Sequence, residues 1–220
     1  MLWFTEVWSQ EDRSLGRLFL IRHGEVEWNR RNAYIGSTDL PLNPMGQAQA
    51  LQLADYLDSR GISAIYSSNL VRASQTAEII AAHLGLKVNI RPELREVDYG
   101  EWEGVPESEV CERYRETYPG WRANPLDTRI PGGETFGELR NRALPAFVGI
   151  AEAHPQGNVA IIAHKSTNRV ILASLLGVDV SRYRQIGQGN SCVNTIEVRP
   201  DGGFVVEGIN LRGHLLDAGC

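Results

Sequence analysis

The sequence predicts an α/β protein of the three-layer α/β/α type, with a mostly parallel central sheet and a C-terminal β-hairpin. Three observations indicate this fold: short apolar runs alternate with helical segments, two of those runs end at a histidine, and the last segment reads as two strands around a turn. Strands that alternate with helices form parallel sheets with helices on both faces. Ligands of such sheets bind at the carboxyl ends of the strands.

The first half of the chain supplies three predicted strands and two predicted helices. An apolar run at 17–21 (RLFLI) stops at an Arg-His-Gly sequence, as expected of a buried strand that ends in a loop. Asn43 and Pro44 suit the cap and the first turn of a helix, and Gly85 suits a helix end. In order, the elements are a strand at 17–21, a helix at 43–59, a strand at 63–66, a helix at 70–84 and a strand at 87–90.

The second half supplies three further helices, one strand and the hairpin. The run NVAIIA at 158–163 is strongly strand-like and ends at a histidine. Pro145 is expected to kink the helix that contains it, and Asp-Gly-Gly at 201–203 indicates the hairpin turn. In order, we expect a helix at 106–118, a loop at 119–133, a helix at 134–153, a strand at 158–163, a helix that ends at Leu176, and hairpin strands at 192–199 and 204–209.

The composition is that of an ordinary globular protein, and it narrows the range of partners. The 220 residues carry a formal net charge of −5, so nucleic acid, which binds clustered basic surface, is not an expected partner. No stretch approaches the roughly 20 apolar residues of a membrane span, and the acidic start of the chain is unlike a signal peptide. The three cysteines show no CxxC spacing, which favours a reduced, cytoplasmic setting.

The length fits one domain with a small addition. We expect a single domain at 17–220 with a small helical cap around 105–130, and an N-terminal extension at 1–16. An exposed edge of the sheet would allow a homodimer.

A set of residues has the types that phosphoryl transfer without a metal requires. That chemistry needs a nucleophile, cations around the phosphate oxygens and a proton donor for the leaving group. The candidates are Arg22 and His23 after the first strand, Arg72 after the second, Glu96 or Glu101 in LREVDYGEWEG, and His164 after NVAIIA. The two histidines follow separate strands, so both are expected at the same edge of the sheet.

Other phosphate chemistries find little support in the sequence. A GxxxxGK[ST] nucleotide loop is missing. Neither Cys111 nor Cys192 is followed six residues later by an arginine, as a cysteine phosphatase loop would require. No clustered Asp or His pattern suggests a metal site. We therefore expect no metal and no cofactor.

These motifs, in this order, resemble the histidine phosphatase superfamily, the phosphoglycerate mutase-like group. The resemblance begins with LIRHGEVEWNRRNAYIGSTDLPLNPMG and continues through SSNLVRASQTAEII, LREVDYGEWEG, PGGETFGELRNR and IIAHKSTNRVILASLLG. The blocks follow the family order and cover about residues 17–215. The resemblance implies a phosphoglycerate mutase-like fold and a histidine that carries the phosphoryl group.

The resemblance also implies a role for each matching residue. His23 would be the nucleophile, Glu96 the proton donor and later the base, and His164 a further catalytic group. The transferring phosphoryl group would be bound by Arg22, Asn29, Arg72 and His164, while Ser37 or Thr38 would line the pocket. Only neutral His23 can attack phosphorus, and nearby arginines would disfavour a proton on its ring. Guanidinium groups also bind phosphate oxygens through paired donors.

The expected function is hydrolysis of a small phosphorylated metabolite, with phosphoglycerate mutase as the alternative and a catalytically silent binding module as the third hypothesis. The compact segment between the third and fourth blocks resembles the phosphatase branch, although Tyr99 stands where some phosphoserine phosphatases carry a histidine. Side chains that would hold the rest of the substrate are Ser37, Thr38, Tyr99, Arg113, Arg115, Arg122, Lys165 and His214. Several are cationic, so we expect a phosphate ester that bears a carboxylate.

Overall fold

The computed structural model describes residues 16–215. The predicted extension at 1–16 lies outside these residues except for Gly16. In chain order the strands are β1 (Arg17–Arg22), β2 (Ile62–Ser67), β3 (Val88–Ile90), β4 (Asn158–Ala163), β5 (Val193–Val198) and β6 (Phe204–Leu211). The α-helices are α1 (Glu27–Arg30), α2 (Pro44–Asp58), α3 (Val71–Leu84), α4 (Glu107–Arg113), α5 (Tyr118–Ala123), α6 (Phe136–Ala153) and α7 (Lys165–Leu175). Short 3₁₀ helices lie at Pro92–Leu94, Gly100–Trp102 and Val180–Gln185.

The six strands form one sheet in the order β3-β2-β4-β1-β5-β6. The pairs β2–β3, β2–β4 and β1–β4 are parallel, whereas β1–β5 and β5–β6 are antiparallel. The mostly parallel sheet and the C-terminal hairpin predicted from the sequence are therefore confirmed. The homodimer expected from an exposed sheet edge stays a prediction.

Helices cover both faces of this sheet, which confirms the three layers. Along β1, Leu18 and Leu20 belong to one core cluster, with residues of α6 and α7. Phe19 and Ile21 belong to another cluster, with residues of α2 and α3. The alternation follows from the period of two along a strand. A strand that is buried on both faces is almost entirely apolar, as RLFLI is.

The structure differs from the predicted elements mainly in the cap. The helix predicted at 106–118 ends at Arg113, and a second helix occupies 118–123, where a loop was predicted. Pro119 lies in the first turn of α5, a position that proline favours. Trp121 of α5 is fully buried and packs edge-on against Trp102, at 4.8 Å between ring centroids. Tertiary packing of aromatic rings therefore decides where this helix forms.

Helix α6 begins two residues later than predicted and continues through Pro145 to Ala153. Its start is determined by a capping box, in which Thr135 accepts from the N–H of Glu138 and Glu138 accepts from the N–H of Thr135. The short helix α1 and the 3₁₀ helices were not predicted, because they are too short to show a periodic pattern. Within residues 16–215, no helix has the length and apolar character needed to cross a bilayer.

Candidate active site

Two histidines lie side by side at the carboxyl end of the sheet. Strands β1 and β4 are parallel neighbours with Arg22 opposite Ala163, so the residues that follow them are adjacent. The N–H of His23 donates to the carbonyl of Ala163 at 3.0 Å. The rings of His23 and His164 lie 5.1 Å apart between centroids. The parallel register thus brings the two predicted catalytic histidines together.

The His23 ring is fixed in one tautomer. Its Nδ1 lies 2.7 Å from the carbonyl oxygen of Gly24. Because a carbonyl only accepts hydrogen bonds, Nδ1 carries the proton, and the neutral ring keeps its lone pair on Nε2. A side chain at Gly24 would meet the backbone of Gly46, with a Cβ only 2.5 Å from its carbonyl oxygen. The turn that holds the ring therefore requires glycine.

The surroundings of His23 keep its imidazole neutral. His23 lies in the segment predicted as a loop after the first strand, yet the residue is only 3% exposed. Burial, followed by the charges of Arg72 and Arg22, lowers the pKa of His23 well below its ordinary value. A neutral imidazole with a free Nε2 is the form that can act as a nucleophile.

Both buried histidines should make folding stability depend on pH. The pKa values of His23 and His164 are lowered in the folded state, so the unfolded chain binds more protons as the pH falls below the ordinary value, about 6.5. We expect unfolding free energy to decrease there, by up to about 1.4 kcal/mol per pH unit for each histidine. Urea unfolding from pH 7 to pH 5 measures this. His23→Asn should have a shallower slope than wild type, and equal slopes would contradict the assignment.

Arg22 presents its charge to the cavity beside His23. Its Nη1 donates to the carbonyl of Gln188 at 2.7 Å, whereas its buried Nε has no partner among the described residues. Burial lowers the pKa of Arg22 to about 10, so it remains protonated at neutral pH. An anchored guanidinium with an unused donor can bind a phosphate oxygen.

Arg72 is fully buried and does not line the cavity. Its Nη1 and Nη2 donate to the carbonyls of Thr38 and Gly36 at 2.9 and 2.7 Å. Its charge nevertheless acts on His23, because it is the second largest cause, next to burial, of the lowered pKa of that residue. Direct binding of the phosphoryl group by Arg72 stays a prediction.

His164 is fully buried at the start of α7. Its Nε2 is 2.6 Å from the hydroxyl of Ser68, and its Nδ1 has no partner among the described residues. Burial, Arg72 and His23 lower the pKa of His164 well below its ordinary value. His164 is not among the residues that line the cavity, so direct binding of the phosphoryl group by His164 stays a prediction.

Glu96 lies in the cavity wall with its carboxylate against the first turn of α7. The carboxylate accepts from the N–H groups of Ser166, Thr167 and Val97 and from the Thr167 hydroxyl, at 2.9 to 3.2 Å. Glu101, the other candidate acid, is exposed, accepts a hydrogen bond from the Tyr114 hydroxyl and does not line the cavity. The geometry therefore favours Glu96.

A largely buried ion pair, Arg142 with Glu134, holds the main chain on both sides of the Glu96 side chain. Arg142 of α6 donates to the carbonyls of Glu93, Arg95 and Glu96 at 2.7 to 2.9 Å. The same guanidinium is paired with Glu134 through two bonds of 2.8 Å. Planar arginine forks give such contacts a fixed geometry, so the position of Glu96 is set from outside the cavity.

Of Asn29, Ser37 and Thr38, only Asn29 lines the cavity. Its Oδ1 accepts from the N–H of Val26 and from Asn190, at 3.0 and 3.1 Å. Ser37 and Thr38 do not line it, since their N–H groups donate to the carboxylate of Glu103. They support the loop that Arg72 contacts.

The cavity has a volume of about 780 Å³ and a strongly basic wall. Tyr99, Arg122 and Lys165 line it as predicted, but His214 does not, since it contacts the Ser191 carbonyl and the Tyr56 ring. Arg113 and Arg115 are exposed outside it.

Lining residues that the sequence reasoning missed include Arg31, Tyr34, Arg169, Tyr183, Arg184 and Asn190. The spacing of Arg169, four residues after Lys165 on α7, is a signal that could have found it.

No group of three or more His, Cys, Asp or Glu residues within 16–215 is arranged to hold a metal ion. The expected independence from metal stays a prediction to be tested in solution.

Comparisons with known proteins show the family to which the chain belongs. The family model of the histidine phosphatase superfamily (branch 1) matches residues 18–211. Phosphoserine phosphatase 1 of Hydrogenobacter thermophilus is 32% identical over 90% of this chain and 94% of its own length. The probable phosphoglycerate mutase GpmB of Salmonella paratyphi B is 33% identical over 90% and 94%. The structure of Bacillus stearothermophilus YhfR superposes with a TM-score of 0.83 at 28% identity, covering 90% of this chain and 98% of YhfR. The chain belongs to the histidine phosphatase superfamily.

Proposed function

We propose that this protein is a phosphatase of small organic phosphate monoesters, which acts through a phosphohistidine on His23. The observation that carries the proposal is the state of His23: its Nδ1 proton is held by the Gly24 carbonyl, and Arg22 lies beside it in a basic cavity. This leaves Nε2 as the nucleophile. The phosphatase names of the relatives support hydrolysis.

The proposed reaction consists of two displacements on phosphorus. In the first, Nε2 of His23 forms a bond to phosphorus, the ester P–O bond breaks, and Glu96 donates a proton to the departing alkoxide. In the second, water attacks the phosphohistidine, Glu96 takes its proton, and the N–P bond breaks to release inorganic phosphate. Arg22, Arg72 and His164 stabilise the negative charge of the transferring group. Glu96 returns to its protonated form after each cycle.

A phosphoglycerate mutase is the second candidate, favoured only by its shared histidine and by the name of the GpmB relatives. A mutase must return the phosphoryl group to an organic hydroxyl and must keep water away from the intermediate. Formation of 2-phosphoglycerate from 3-phosphoglycerate, measured against phosphate release, separates the two activities. A silent binding module would form no phosphoenzyme at all.

The test is a screen of phosphorylated metabolites and p-nitrophenyl phosphate for phosphate release, with EDTA present. We expect turnover that survives the chelator, because the proposed nucleophile is a side chain. We also expect strong inhibition by vanadate, whose five-coordinate form resembles the transferring phosphoryl group. Loss of activity in EDTA that Mg²⁺ restores would contradict the proposed chemistry.

A cytoplasmic location is part of the same proposal. Cys111 and Cys192, the two cysteines in the described part of the chain, are free thiols. Free thiols persist in reducing compartments. The proposed partner is a small phosphorylated metabolite rather than nucleic acid or a membrane.

A further inference from the structure

The geometry points to a second anion-binding subsite in the cavity, formed by Lys165, Arg169 and Arg184, for a second anionic group on the phosphate ester. All three side chains line the cavity that contains His23. The inference rests on the proposed phosphatase function and names its substrate class: small phosphate monoesters with a second negative charge, from a carboxylate or another phosphate.

Lys165 and Arg169 form the first part of this subsite. They are four residues apart on α7, so their side chains lie on one face of the helix. Like charges at this spacing destabilise a helix. Among the described residues neither forms an ion pair. Arg169 is anchored by its Nε, which donates to the carbonyl of Ile186 at 2.7 Å. The charge of Glu96 acts on both groups without pairing with either. Two cations held side by side without an ion pair are explained by an anionic ligand.

Arg184 contributes the third charge from the 3₁₀ helix that follows α7. Its guanidinium carbon lies 4.6 Å from the Trp121 ring centroid and 4.7 Å from that of Tyr183. Aromatic rings orient an arginine without neutralising it. Arg184 likewise has no ion-pair partner among the described residues. Burial is the main cause of the lowered pKa of Arg169, and the charge of Arg184 lowers it further. The two guanidinium groups therefore act on the same part of the cavity.

The two carboxylates in the cavity wall, Glu96 and Glu107, form hydrogen bonds with residues outside the subsite. Glu107 pairs with Nη1 of Arg122 at 2.9 Å and accepts from the Tyr118 hydroxyl. Glu96 is held by the first turn of α7. Arg122 thus lines the cavity with its charge paired to Glu107, a carboxylate on which the charges of Arg184 and Lys165 also act. Substrate binding by Arg122 stays a prediction. Besides Arg22 and the exposed Arg31, the basic residues of the cavity wall without an ion pair among the described residues are the three residues of the subsite.

The subsite lies within the electrostatic reach of Arg22. Burial, followed by the charges of Arg22 and Arg169, lowers the pKa of Lys165 to about 8, while Glu96 and Glu107 oppose this shift. The Lys165 side chain is nevertheless still reached by solvent in the open cavity. Coulomb interactions that are strong enough to shift a pKa act over short distances. Arg22 and the three subsite residues also line one cavity of about 780 Å³, so one small substrate can contact both anion sites.

The test compares phosphate esters that differ only in the second charge. Phosphate release from 3-phosphoglycerate is measured against glycerol 3-phosphate, in which the carboxylate is replaced by a hydroxymethyl group. Fructose 1,6-bisphosphate against fructose 6-phosphate tests a second phosphate in the same way. We expect the wild-type enzyme to favour one or both charged esters by about tenfold or more in kcat/KM, as for a charge-assisted hydrogen bond. The pair with the larger ratio identifies the anion.

Arg184→Gln and Lys165→Gln should each lower kcat/KM for the charged ester by about 10- to 100-fold, mainly through KM. Turnover of glycerol 3-phosphate and p-nitrophenyl phosphate should change by less than about twofold. Arg182→Gln is the matched control, because Arg182 lies two residues before Arg184 but is exposed and outside the cavity. In wild type, the preference should also decline above pH 8, as Lys165 loses its proton, and this decline should be absent in Lys165→Gln.

Equal losses on charged and neutral esters, or a wild-type enzyme without preference in either pair, would overturn the subsite. If Arg184→Gln proves unstable by thermal unfolding, Arg169→Lys replaces it; this variant keeps the charge and should keep most of the preference. Failure of the wild type to release phosphate from any ester, p-nitrophenyl phosphate included, would contradict the proposed function instead.

Discussion

Replacement of His23 by alanine is expected to reduce turnover by about 10⁴-fold or more, because the nucleophile of the first displacement is lost. Its Nδ1 is bonded to the Gly24 carbonyl and its pKa is lowered by burial and two arginines. No other group in the cavity combines a free ring nitrogen with this position. The measurement is phosphate release from p-nitrophenyl phosphate under saturating substrate.

A direct readout accompanies this prediction. Wild-type enzyme mixed with radiolabelled substrate and quenched in base should retain phosphate on His23, in a linkage that is stable to base and labile to acid. His23→Ala should retain none. Because the His23 side chain is buried, circular dichroism and thermal unfolding must show that the variant is folded. His83→Ala, at the exposed end of α3, is the control and should keep wild-type turnover. Full activity of a folded His23→Ala variant would contradict the proposed mechanism.

Replacement of Glu96 by glutamine should slow the transfer of the phosphoryl group from alkyl phosphates by about 10²–10⁴-fold, the usual contribution of a general acid. An alkoxide leaves poorly without a proton, whereas p-nitrophenolate leaves without one. The defect in phosphorylation of His23 should therefore be much smaller with p-nitrophenyl phosphate. Single-turnover phosphorylation isolates this step from hydrolysis of the phosphoenzyme, in which Glu96 is the proposed base.

Glu101→Gln is the matched control for this experiment, since Glu101 lies on the same loop but is exposed and outside the cavity. It should leave both substrates near wild-type rates. Equal losses on both substrates in Glu96→Gln would show that Glu96 is not the acid. A selective loss in Glu101→Gln would transfer the role to that residue, against the geometry.

The sequence alone was sufficient to predict the strands and the long helices in their order along the chain, because each depends on a pattern within a single segment. A short run such as RLFLI, followed directly by Arg-His-Gly, indicates a buried strand. Asn43 with Pro44 marks a helix start that the structure reproduces at Pro44. The two histidines could also be assigned to one edge of the sheet. Each follows a strand, and parallel strands end on the same side.

Elements without such a local pattern were not predictable. The helix at Tyr118–Ala123 is only six residues long, and short helices have little stability of their own. It forms where Tyr118 and Trp121 are buried in an aromatic cluster with Trp102. The position of these rings depends on segments that are distant in the chain, so only the folded protein defines the cap.

The site shows the same division. The residue types at His23, Glu96 and His164, and the family they indicate, were readable in the sequence, because catalysis of this kind requires particular functional groups. Which cations remain free for a substrate was not readable. Arg122 and Arg184 are both arginines near the cavity, yet one is paired with Glu107 and the other lies against Trp121. An ion pair depends on the distance between atoms of separate segments, and only the tertiary structure determines that distance.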